Sequence, residues 1–570
     1  MHSSYLQNAI NKIQKRSFNH RWQGNDIHPV LMRVLLARGC VSLDELNYDI
    51  NKLKHFTLLG NINEIAQELH EAITQKKRIL IVGDYDVDGA TSIVTMYEGL
   101  KMHGAECVDY LVPNRFRTGY GLSVKLIPEV LSFSPDVIIT VDNGIAAHEA
   151  VSLLKSKGIK VLITDHHQAG DVLPCADVIV NPNQLNGGKE LSELAGVGVA
   201  FYVICALRAY QRSLGITVPS LLSLLDVVAL GTVADCVPLS FNNRLLIAKG
   251  LERIRQGKAR PGIYELIQST RTHYSKISCD TIGFQIGPKL NAAGRLDDMS
   301  VGVKALLSNG DQYSVEELDA LNEQRKRIQR DGVDKIIEDL SQYTIDDIIV
   351  VYNDSWHEGV LGLMASKIKD FFQRPTLVLT KANEGIFKGS GRSLIGINLH
   401  QVLSWVNQHH PHVIEQFGGH AMACGLSVKS SQLNNLRQIL NQYARDSLDV
   451  EAHREITWHD GALGKEDLSV SFAQTIFDMG PWGMGFPEPS FAQTFTIDEV
   501  TVLKESHLKF TLVYQSDAQP ITALYFNASE DVLKGASKGM KLYCVYKLST
   551  NEFRGSKTLN LMINECVVLE

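Results

Sequence analysis

The chain lacks the features that would tie it to a membrane or to an oxidising compartment. No apolar run in its 570 residues is long enough to cross a bilayer. Residues 1–20 are polar and mildly basic without an apolar centre, which argues against a secretory signal. The 9 cysteines are scattered and form no Cys-x-x-Cys pair, so neither a disulfide framework nor a thiolate zinc site is expected. These absences predict a cytoplasmic protein that does not bind membranes.

An excess of basic charge is also missing, since the formal net charge is −7. The overall charge therefore gives no support for a nucleic-acid partner. It does not exclude one, because binding needs only a local basic track and an acidic metal site lowers the sum.

The order of sequence patterns predicts several α/β and β-rich domains, as expected for a chain of this length. Apolar β-branched runs at residues 78–82, 136–141, 160–164 and 177–180 alternate with helical patterns, which is typical of a parallel sheet buried on both faces. A long helical pattern, a second α/β unit and a run of short strands follow. The predicted domains are an N-terminal helical extension at 1–70, a doubly wound parallel-sheet domain at 71–312, a connecting helix at 313–345, a second α/β domain at 346–452 and a β-barrel or sandwich at 453–570.

Acidic and histidine residues recur where the apolar runs end. Asp84, Asp86 and Asp88 follow the first run, and burying such carboxylates without partners is too unfavourable unless cations bind them. Asp142, Asp165-His166-His167 and Asp235 follow later runs; the run before Asp235 fits a strand or a helix. Because ligands bind beyond the carboxyl ends of parallel strands, these residues predict one metal cluster.

The chemistry of the cluster favours hydrolysis of a phosphoester. Oxygen and imidazole ligands without thiolate suit Mn²⁺ or Mg²⁺, with zinc also open. Two such ions about 3.5–4 Å apart activate water and stabilise the leaving oxygen. His166 and His167 are adjacent, so their side chains diverge: one is a ligand, and the other ligates or contacts the scissile phosphate. Solvated loop aspartates explain any single position but not the whole ordered set.

Four short motifs resemble those of the DHH phosphoesterase family: Asp84-Tyr85-Asp86-Val87-Asp88-Gly89, Val141-Asp142-Asn143-Gly144, Thr164-Asp165-His166-His167 and Gly231-Thr232-Val233-Ala234-Asp235. The resemblance implies a doubly wound α/β domain, a smaller domain closing over it, and a site for two Mn²⁺ or Mg²⁺ ions. It also implies that the metal ligands are Asp84, Asp86, Asp88, Asp142, His166, His167 and Asp235. Of these, Asp88, Asp142 and His167 would take catalytic roles, the two aspartates as bridging ligands.

Further motifs point to a substrate cleft. Glycine-rich segments at residues 390–393 and 418–420 let backbone N–H groups and an arginine approach an anion. Arginines and aromatics interleave at residues 113–117, which suits a single strand as well as it suits an exposed loop. Residues 287–295 fit a flexible, mildly basic loop. The segments also resemble the cleft of DHH enzymes, which implies the substrate-binding residues Arg115, Arg295, Ser390, Arg392, Gly418, Gly419 and His420, with His420 also catalytic.

The overall arrangement resembles that of the DHH enzymes which degrade single-stranded DNA from the 5′ end. This resemblance implies a 5′→3′ exonuclease that releases mononucleotides in DNA repair and recombination, with Arg115, Ser390 and Arg392 on the 5′-terminal phosphate. It further implies a C-terminal OB-fold and, as partners, a helicase and a single-strand-binding protein. Two alternatives remain open: a DHH-type oligoribonuclease or small phosphoesterase, and a non-catalytic scaffold that binds single strands.

Overall fold

A five-stranded parallel sheet forms the centre of the first half of the chain. The computed structural model describes residues 10, 12–184, 186–310, 312–343, 345–383, 385–453, 455–515, 519–553 and 555–569. Residues 1–9 and 11 of the predicted N-terminal extension lie outside these ranges.

The sheet is doubly wound, as the sequence predicts. Its strands, all parallel, lie in the spatial order Val108–Leu111, Ile79–Val82, Val137–Val141, Lys160–Thr164 and Val178–Val180. The chain therefore leaves the first strand on one side and later returns to its other side. Such a reversal opens a crevice at the carboxyl ends of the strands, between the first and third along the chain, and ligands bind there.

Helices cover both faces of this sheet and extend beyond it. The apolar run before Asp235 is helical, and it is buried almost throughout. Residues 287–295 also form a helix, so the expected flexible loop is wrong: Leu290, Ala292 and Ala293 are buried in the core. The helices are Pro29–Leu36, Ile62–Thr74, Val87–Met102, Ile127–Ser132, His148–Ser156, Gly196–Ser213, Leu225–Ala234, Phe241–Arg255, Pro261–Ser269, Cys279–Thr281, Gly287–Leu296 and Ser300–Leu307, with a π-helical turn at Ile282–Ile286.

The N-terminal segment belongs to the same core and is not peripheral. Val34 and Leu35 of helix Pro29–Leu36 are fully buried, as are Ile65 and Leu69 of the next helix. All four lie in one apolar cluster with the parallel sheet.

A single helix, Gln312–Leu340, connects the two halves of the protein as predicted. Its 29 residues span about 43 Å at 1.5 Å per residue. Gly332 does not interrupt it. A Cβ at Gly332 would lie 2.5 Å from the Cε atom of Met364, so glycine permits close packing against the second α/β domain.

The second α/β domain contains a mixed sheet. Only one pair of its strands, Ile349–Asn353 with Thr376–Asn383, is parallel; the remaining neighbours are antiparallel. In spatial order the strands are Gln416–His420, Ala423–Lys429, Ile386–Arg392, Thr376–Asn383 and Ile349–Asn353, and the helices are Leu361–Phe372, Leu399–His409 and Leu433–Ser447.

The C-terminal region is a closed five-stranded barrel, one of the two predicted β architectures. A short parallel pair, Ile13–Lys15 with Thr457–His459, joins the N-terminus to the start of this region. Among the helices of the described segments, none has the length and apolarity that a bilayer crossing requires. The barrel strands are Phe491–Leu503, His507–Val513, Ile521–Tyr525, Lys541–Phe553 and Ser556–Leu569, accompanied by helices Val470–Asp478 and Glu530–Gly535.

Candidate metal centre and anion pocket

The crevice at the sheet reversal collects the predicted acidic and histidine residues. The first, third and fourth strands along the chain lead directly into Asp84, Asp142 and Asp165. Loops from separate parts of the chain therefore converge here because the strands are parallel and end at one edge.

Asp86 and Asp88 lie at the N-terminus of the helix that leaves the crevice. The Oδ1 atom of Asp86 accepts a hydrogen bond from the N–H of Gly89 at 3.0 Å. The buried carboxylate of Asp88 accepts hydrogen bonds from the N–H groups of Gly196, at 2.6 Å, and Val197, at 2.9 Å. Gly196 begins a second helix. Two helix N-termini therefore fix these carboxylates and favour their negative charge.

Asp142 is held in an unusual backbone conformation. Its φ of 59° is left-handed, a region that non-glycine residues seldom adopt. Gly196 packs against it so closely that a Cβ there would lie 2.6 Å from the Asp142 Cβ. The side-chain amide of Asn143 donates to the carbonyl of Val82 at 3.0 Å and to that of Val141 at 2.9 Å, tying two strand ends together. The surrounding structure therefore aims the Asp142 carboxylate into the crevice.

Asp165 acts as a support for the histidines. Its carboxylate accepts hydrogen bonds from the N–H groups of Ile145, His166 and His167 at 2.7–3.1 Å, and it contacts the Nδ1 atom of His167 at 2.7 Å. Burial alone would raise the pKa of Asp165, but the hydrogen bonds and the charge of His167 lower it. The same pairing outweighs burial at His167 and raises its pKa. Asp165 therefore orients His167 and favours its charged form.

The His166 ring lies among three carboxylates. Its Nε2 atom is 3.1 Å from Asp142 Oδ1 and 3.7 Å from the Oδ2 atoms of Asp88 and Asp235. Burial, helped by the neighbouring His167, lowers the pKa of His166 to about 4. The imidazole is therefore neutral near pH 7, and a neutral ring nitrogen is a metal ligand.

Asp235 reaches the crevice from a helix end. The sequence left open whether Asp235 follows a strand or a helix, and the structure shows that it caps helix Leu225–Ala234. The final turn of that helix brings its carboxylate within 3.7 Å of His166.

Three groups of donor atoms lie within 4.8 Å of one another: Asp84, Asp86 and Asp142; Asp88, His166 and Asp235; and Asp142, His166 and His167. Asp142 belongs to two of them, whereas Asp88 belongs to one. Among the described residues, the buried atoms Asp84 Oδ1, Asp142 Oδ1, His166 Nε2 and Asp235 Oδ2 make no hydrogen bond, since the 3.1 Å contact between Asp142 Oδ1 and His166 Nε2 does not have hydrogen-bond geometry. Buried polar atoms are normally satisfied, so this donor set fits divalent cations.

The raised pKa values of the carboxylates also indicate a site for divalent cations. Burial raises the pKa of Asp88 to about 7, with the charge of Asp86 adding to the effect. Burial likewise raises the pKa of Asp235 to about 9, with Asp88 and Asp86 adding. Like charges crowded in a buried site hold protons unless cations replace them.

Four arginines, Arg115, Arg295, Arg325 and Arg392, lie near one another beside the metal centre and form a candidate anion pocket. Burial, followed by the positive charges of Arg115, Arg325 and Arg392, lowers the pKa of Arg295 to about 10. No carboxylate of the described residues lies within 4.0 Å of any of the four guanidinium groups. The Arg115 guanidinium lies 4.2 Å from the centre of the Tyr85 ring, and its buried Nε atom has no partner. Unpaired arginines in such proximity favour a multiply charged anion.

One glycine allows the second α/β domain to approach these arginines. A Cβ at Gly359 would lie 1.8 Å from the carbonyl oxygen of Arg295, so only glycine permits this contact between the two domains. Within the second domain, a Cβ at Gly362 would lie 2.7 Å from a terminal nitrogen of Arg392. The backbone at Gly359 therefore packs directly against Arg295.

The structure does not connect every predicted substrate residue to the site. Ser390 is half-buried in its strand, while Gly418, Gly419 and His420 are exposed on the edge strand Gln416–His420. Within the described ranges, no hydrogen bond or ion pair joins the His420 side chain to the acidic cluster. The roles of these residues stay predictions.

The sequence argument missed Arg325. It lies on the connecting helix, where alternating charges ordinarily indicate a solvated face. Its Nε donates to Asn322 at 3.1 Å, and burial lowers its pKa. Its electrostatic contact with Arg295 depends on how the connecting helix packs, and no local signal in the sequence reveals it.

Comparisons with known proteins match all three domains. Family models match as "DHH family, N-terminal domain" at residues 78–232, "DHHA1 domain" at 346–446 and "RecJ OB domain" at 459–565. The single-stranded-DNA-specific exonuclease RecJ of Dickeya dadantii is 39% identical over 571 residues, covering 98% of this chain and 99% of that protein. Its namesake from Haemophilus influenzae is 41% identical over 559 residues, covering 95% and 97%. A crystal structure of RecJ from Thermus thermophilus in complex with Mn²⁺ matches with a TM-score of 0.79 at 26% identity, covering 98% of this chain and 80% of that one.

Proposed function

This chain belongs to the RecJ family of single-stranded-DNA-specific exonucleases, and from that premise we propose that it degrades single-stranded DNA from 5′ to 3′ and releases mononucleotides. The reaction is metal-assisted hydrolysis of the phosphodiester. One observation carries the proposal: the crevice contains four buried donor atoms without partners, on Asp84, Asp142, His166 and Asp235.

The donor groups divide naturally between two Mn²⁺ or Mg²⁺ ions. Asp84 and Asp86 would hold one ion, and Asp88, His166 and Asp235 would hold the other. Asp142 would contribute to both sites, because it groups with Asp84 and Asp86 and also lies 3.1 Å from His166. When bound, such a pair of ions lowers the pKa of a water and stabilises the leaving oxygen of a phosphodiester.

His167 supplies positive charge beside the scissile phosphate. Asp165 holds its ring and favours the charged form. The hydroxyl of Tyr120 lies 3.2 Å from the His167 ring and 3.2 Å from the Asp142 carbonyl oxygen, so it fixes the ring from the other side. A charged donor held in place in this way stabilises negative charge on the phosphoryl oxygens. His420 takes a similar role from the second α/β domain.

Polarity comes from the anion pocket. Arg115, Ser390 and Arg392 hold the 5′-terminal phosphate, with Arg295 and Arg325 adding charge. Gly418 and Gly419 allow the substrate backbone to approach. A terminal monoester carries more charge than an internal diester, so several unpaired arginines select the end of a strand. The C-terminal barrel, an OB-fold, binds the strand further along.

The biological setting is DNA repair and recombination in the cytoplasm. A helicase and a single-strand-binding protein are the partners, because an enzyme that accepts only single strands needs another activity to expose them. The 9 cysteines are all free, which suits a reducing compartment.

Digestion of long strands labelled separately at the 5′ or the 3′ end, in Mn²⁺, tests the proposal. We expect the 5′ label to be released first, as a mononucleotide. Asp142→Ala should lower the rate at least about 1,000-fold, because several kcal/mol of transition-state stabilisation depend on the ions. The control Glu106→Ala, an exposed carboxylate just before strand Val108–Leu111 at the opposite edge of the sheet, should leave the rate unchanged.

The same assay separates the alternatives. Faster hydrolysis of a dinucleotide than of the long strand would favour a small-phosphoesterase function. Binding of strands without cleavage by the Mn²⁺-loaded protein would favour a scaffold. Release of the 3′ label first would contradict the assigned polarity.

A further inference from the structure

The C-terminal region contacts the catalytic domain directly behind Asp235. Asp235 ends its helix, and Cys236 follows in a left-handed conformation with φ of 58°. The chain then runs to the next helix, which begins at Phe241. Residues 236–240 are called the Asp235 loop below.

The Asp235 carboxylate has little support of its own. Asp86 and Asp88 accept hydrogen bonds from backbone N–H groups, which fix them before a cation binds. Within the described part of the chain, no N–H group donates to the carboxylate of Asp235, and its Oδ2 atom is buried without a partner. Its position therefore depends on the backbone of the Asp235 loop.

A turn of the C-terminal region, residues 483–486, holds that loop. The N–H of Leu239 donates to the carbonyl of Met484 at 2.7 Å. A Cβ at Gly483 would lie 2.7 Å from the Leu239 side chain, so only glycine allows this approach. The turn is itself closed by two backbone hydrogen bonds between Gly483 and Phe486, at 2.9 and 3.1 Å.

Arg244 contacts both the Asp235 loop and the 483–486 turn. It is buried, and its guanidinium donates to the carbonyl of Leu239 at 2.9 Å. The same guanidinium lies 4.0 Å from the centre of the buried Phe486 ring. The neighbouring Asn243 donates to the carbonyl of Pro238 at 2.9 Å. The N–H of Leu239 is therefore bound to the 483–486 turn, and the carbonyls of Pro238 and Leu239 are bound to the following helix.

We propose that the 483–486 turn, Leu239 and Arg244 are positioning residues for Asp235, so that the C-terminal region helps to set the metal affinity of the catalytic centre. Groups that orient a metal ligand normally change metal affinity when they are removed. The inference rests on the proposed function only in treating Asp235 as a ligand.

Mn²⁺ titration of the full chain without DNA, followed by the electron paramagnetic resonance signal of free Mn²⁺, tests the inference. We expect Leu239→Ala to weaken the Mn²⁺ site that contains Asp235 by about 10- to 100-fold. The control is Phe526→Ala, which removes a half-exposed aromatic from the same region away from the turn and should leave the isotherm unchanged. A wild-type isotherm for Leu239→Ala would overturn the inference.

A double-mutant comparison shows whether the effect passes through Asp235. In an Asp235→Asn background, Leu239→Ala should cause no further loss of affinity; an additive loss would overturn the inference. Arg244→Lys is the second variant if the urea midpoint of metal-free Leu239→Ala reveals unfolding, and it should weaken the same Mn²⁺ site. If Asp235→Asn alone binds Mn²⁺ like the wild type, the ligand assignment fails, and the positioning role fails with it.

Discussion

At the scale of single residues, the metal centre is a set of carboxylates whose charges the fold cannot neutralise alone. Asp142 lies in a left-handed backbone conformation, and Asp88 and Asp235 have raised pKa values because they are buried beside other carboxylates. Pre-organising such a site destabilises the metal-free protein, and cation binding offsets that loss. Divalent ions in this site would therefore stabilise the fold as well as serve the proposed reaction.

The raised pKa values predict how the stability of the metal-free protein depends on pH. Asp235 binds a proton up to about pH 9 when folded, but near pH 4 in the unfolded chain. Between these values the folded state binds more protons, so the free energy of unfolding falls as pH rises. The slope is at most about 1.4 kcal/mol per pH unit for each such carboxyl. Urea unfolding in a chelator at pH 5, 7 and 9 measures it.

Asp235→Asn is the matched comparison, because asparagine does not titrate. Its free energy of unfolding in chelator should fall less steeply with pH than that of the wild type. Saturating Mn²⁺ should remove most of the wild-type slope above about pH 6, because the ions keep the folded carboxylates ionised, as they already are in the unfolded chain. Parallel slopes for the two proteins in chelator would mean that Asp235 is already ionised in the metal-free fold.

At the scale of elements, the sequence predicted those strands and helices whose hydrophobic pattern is visible locally. Buried parallel strands and the connecting helix have periodicities that are readable along the chain, and the structure confirms them. It also brings the residues of the acidic motifs together, while their role as metal ligands stays a prediction. The helix before Asp235 stayed ambiguous because a fully buried apolar run has no periodicity. The helix Gly287–Leu296 was mistaken for a loop because its glycines and proline are turn formers, and only tertiary packing makes them helical. The domain boundaries stay predictions, since one apolar cluster runs through the N-terminal segment, the parallel-sheet domain and the barrel.

The connecting helix predicts a test of end recognition. Arg325→Gln should raise KM for a 5′-phosphorylated strand by about 10- to 100-fold, because a charged hydrogen bond contributes roughly 1.5–3 kcal/mol. It should spare a 5′-hydroxyl strand and leave Mn²⁺ affinity unchanged. Arg392→Ala should behave in the same way if both arginines share one phosphate.

Arg330→Gln is the control for Arg325→Gln, since it changes an exposed arginine five residues later on the same helix. Its KM should match that of the wild type for both strands. Equal losses on 5′-phosphate and 5′-hydroxyl strands with Arg325→Gln would show that Arg325 does not recognise the strand end.

At the scale of the whole molecule, the N-terminal segment is bound to the start of the C-terminal region. Strand Ile13–Lys15 pairs with Thr457–His459, and the fully buried carboxylate of Asp460 lies just beyond. Arg38 donates to both Asp460 oxygens, at 2.9 and 3.0 Å, and Arg16 adds a contact at 3.2 Å. The N-terminal segment therefore fastens the start of the C-terminal region to the catalytic domain.

The buried ion pair between Asp460 and Arg38 predicts a large loss of stability for Asp460→Asn. The variant leaves the Arg38 guanidinium, which is 1% exposed, without its carboxylate. Breaking one partner of a buried ion pair destabilises a protein by about 3–5 kcal/mol, because the remaining charge is uncompensated. Glu530→Gln breaks an exposed pair with Lys534 in the same region and should not change the urea midpoint measurably. If Asp460→Asn unfolds at the wild-type urea concentration, this ion pair does not fasten the N-terminal segment to the C-terminal region.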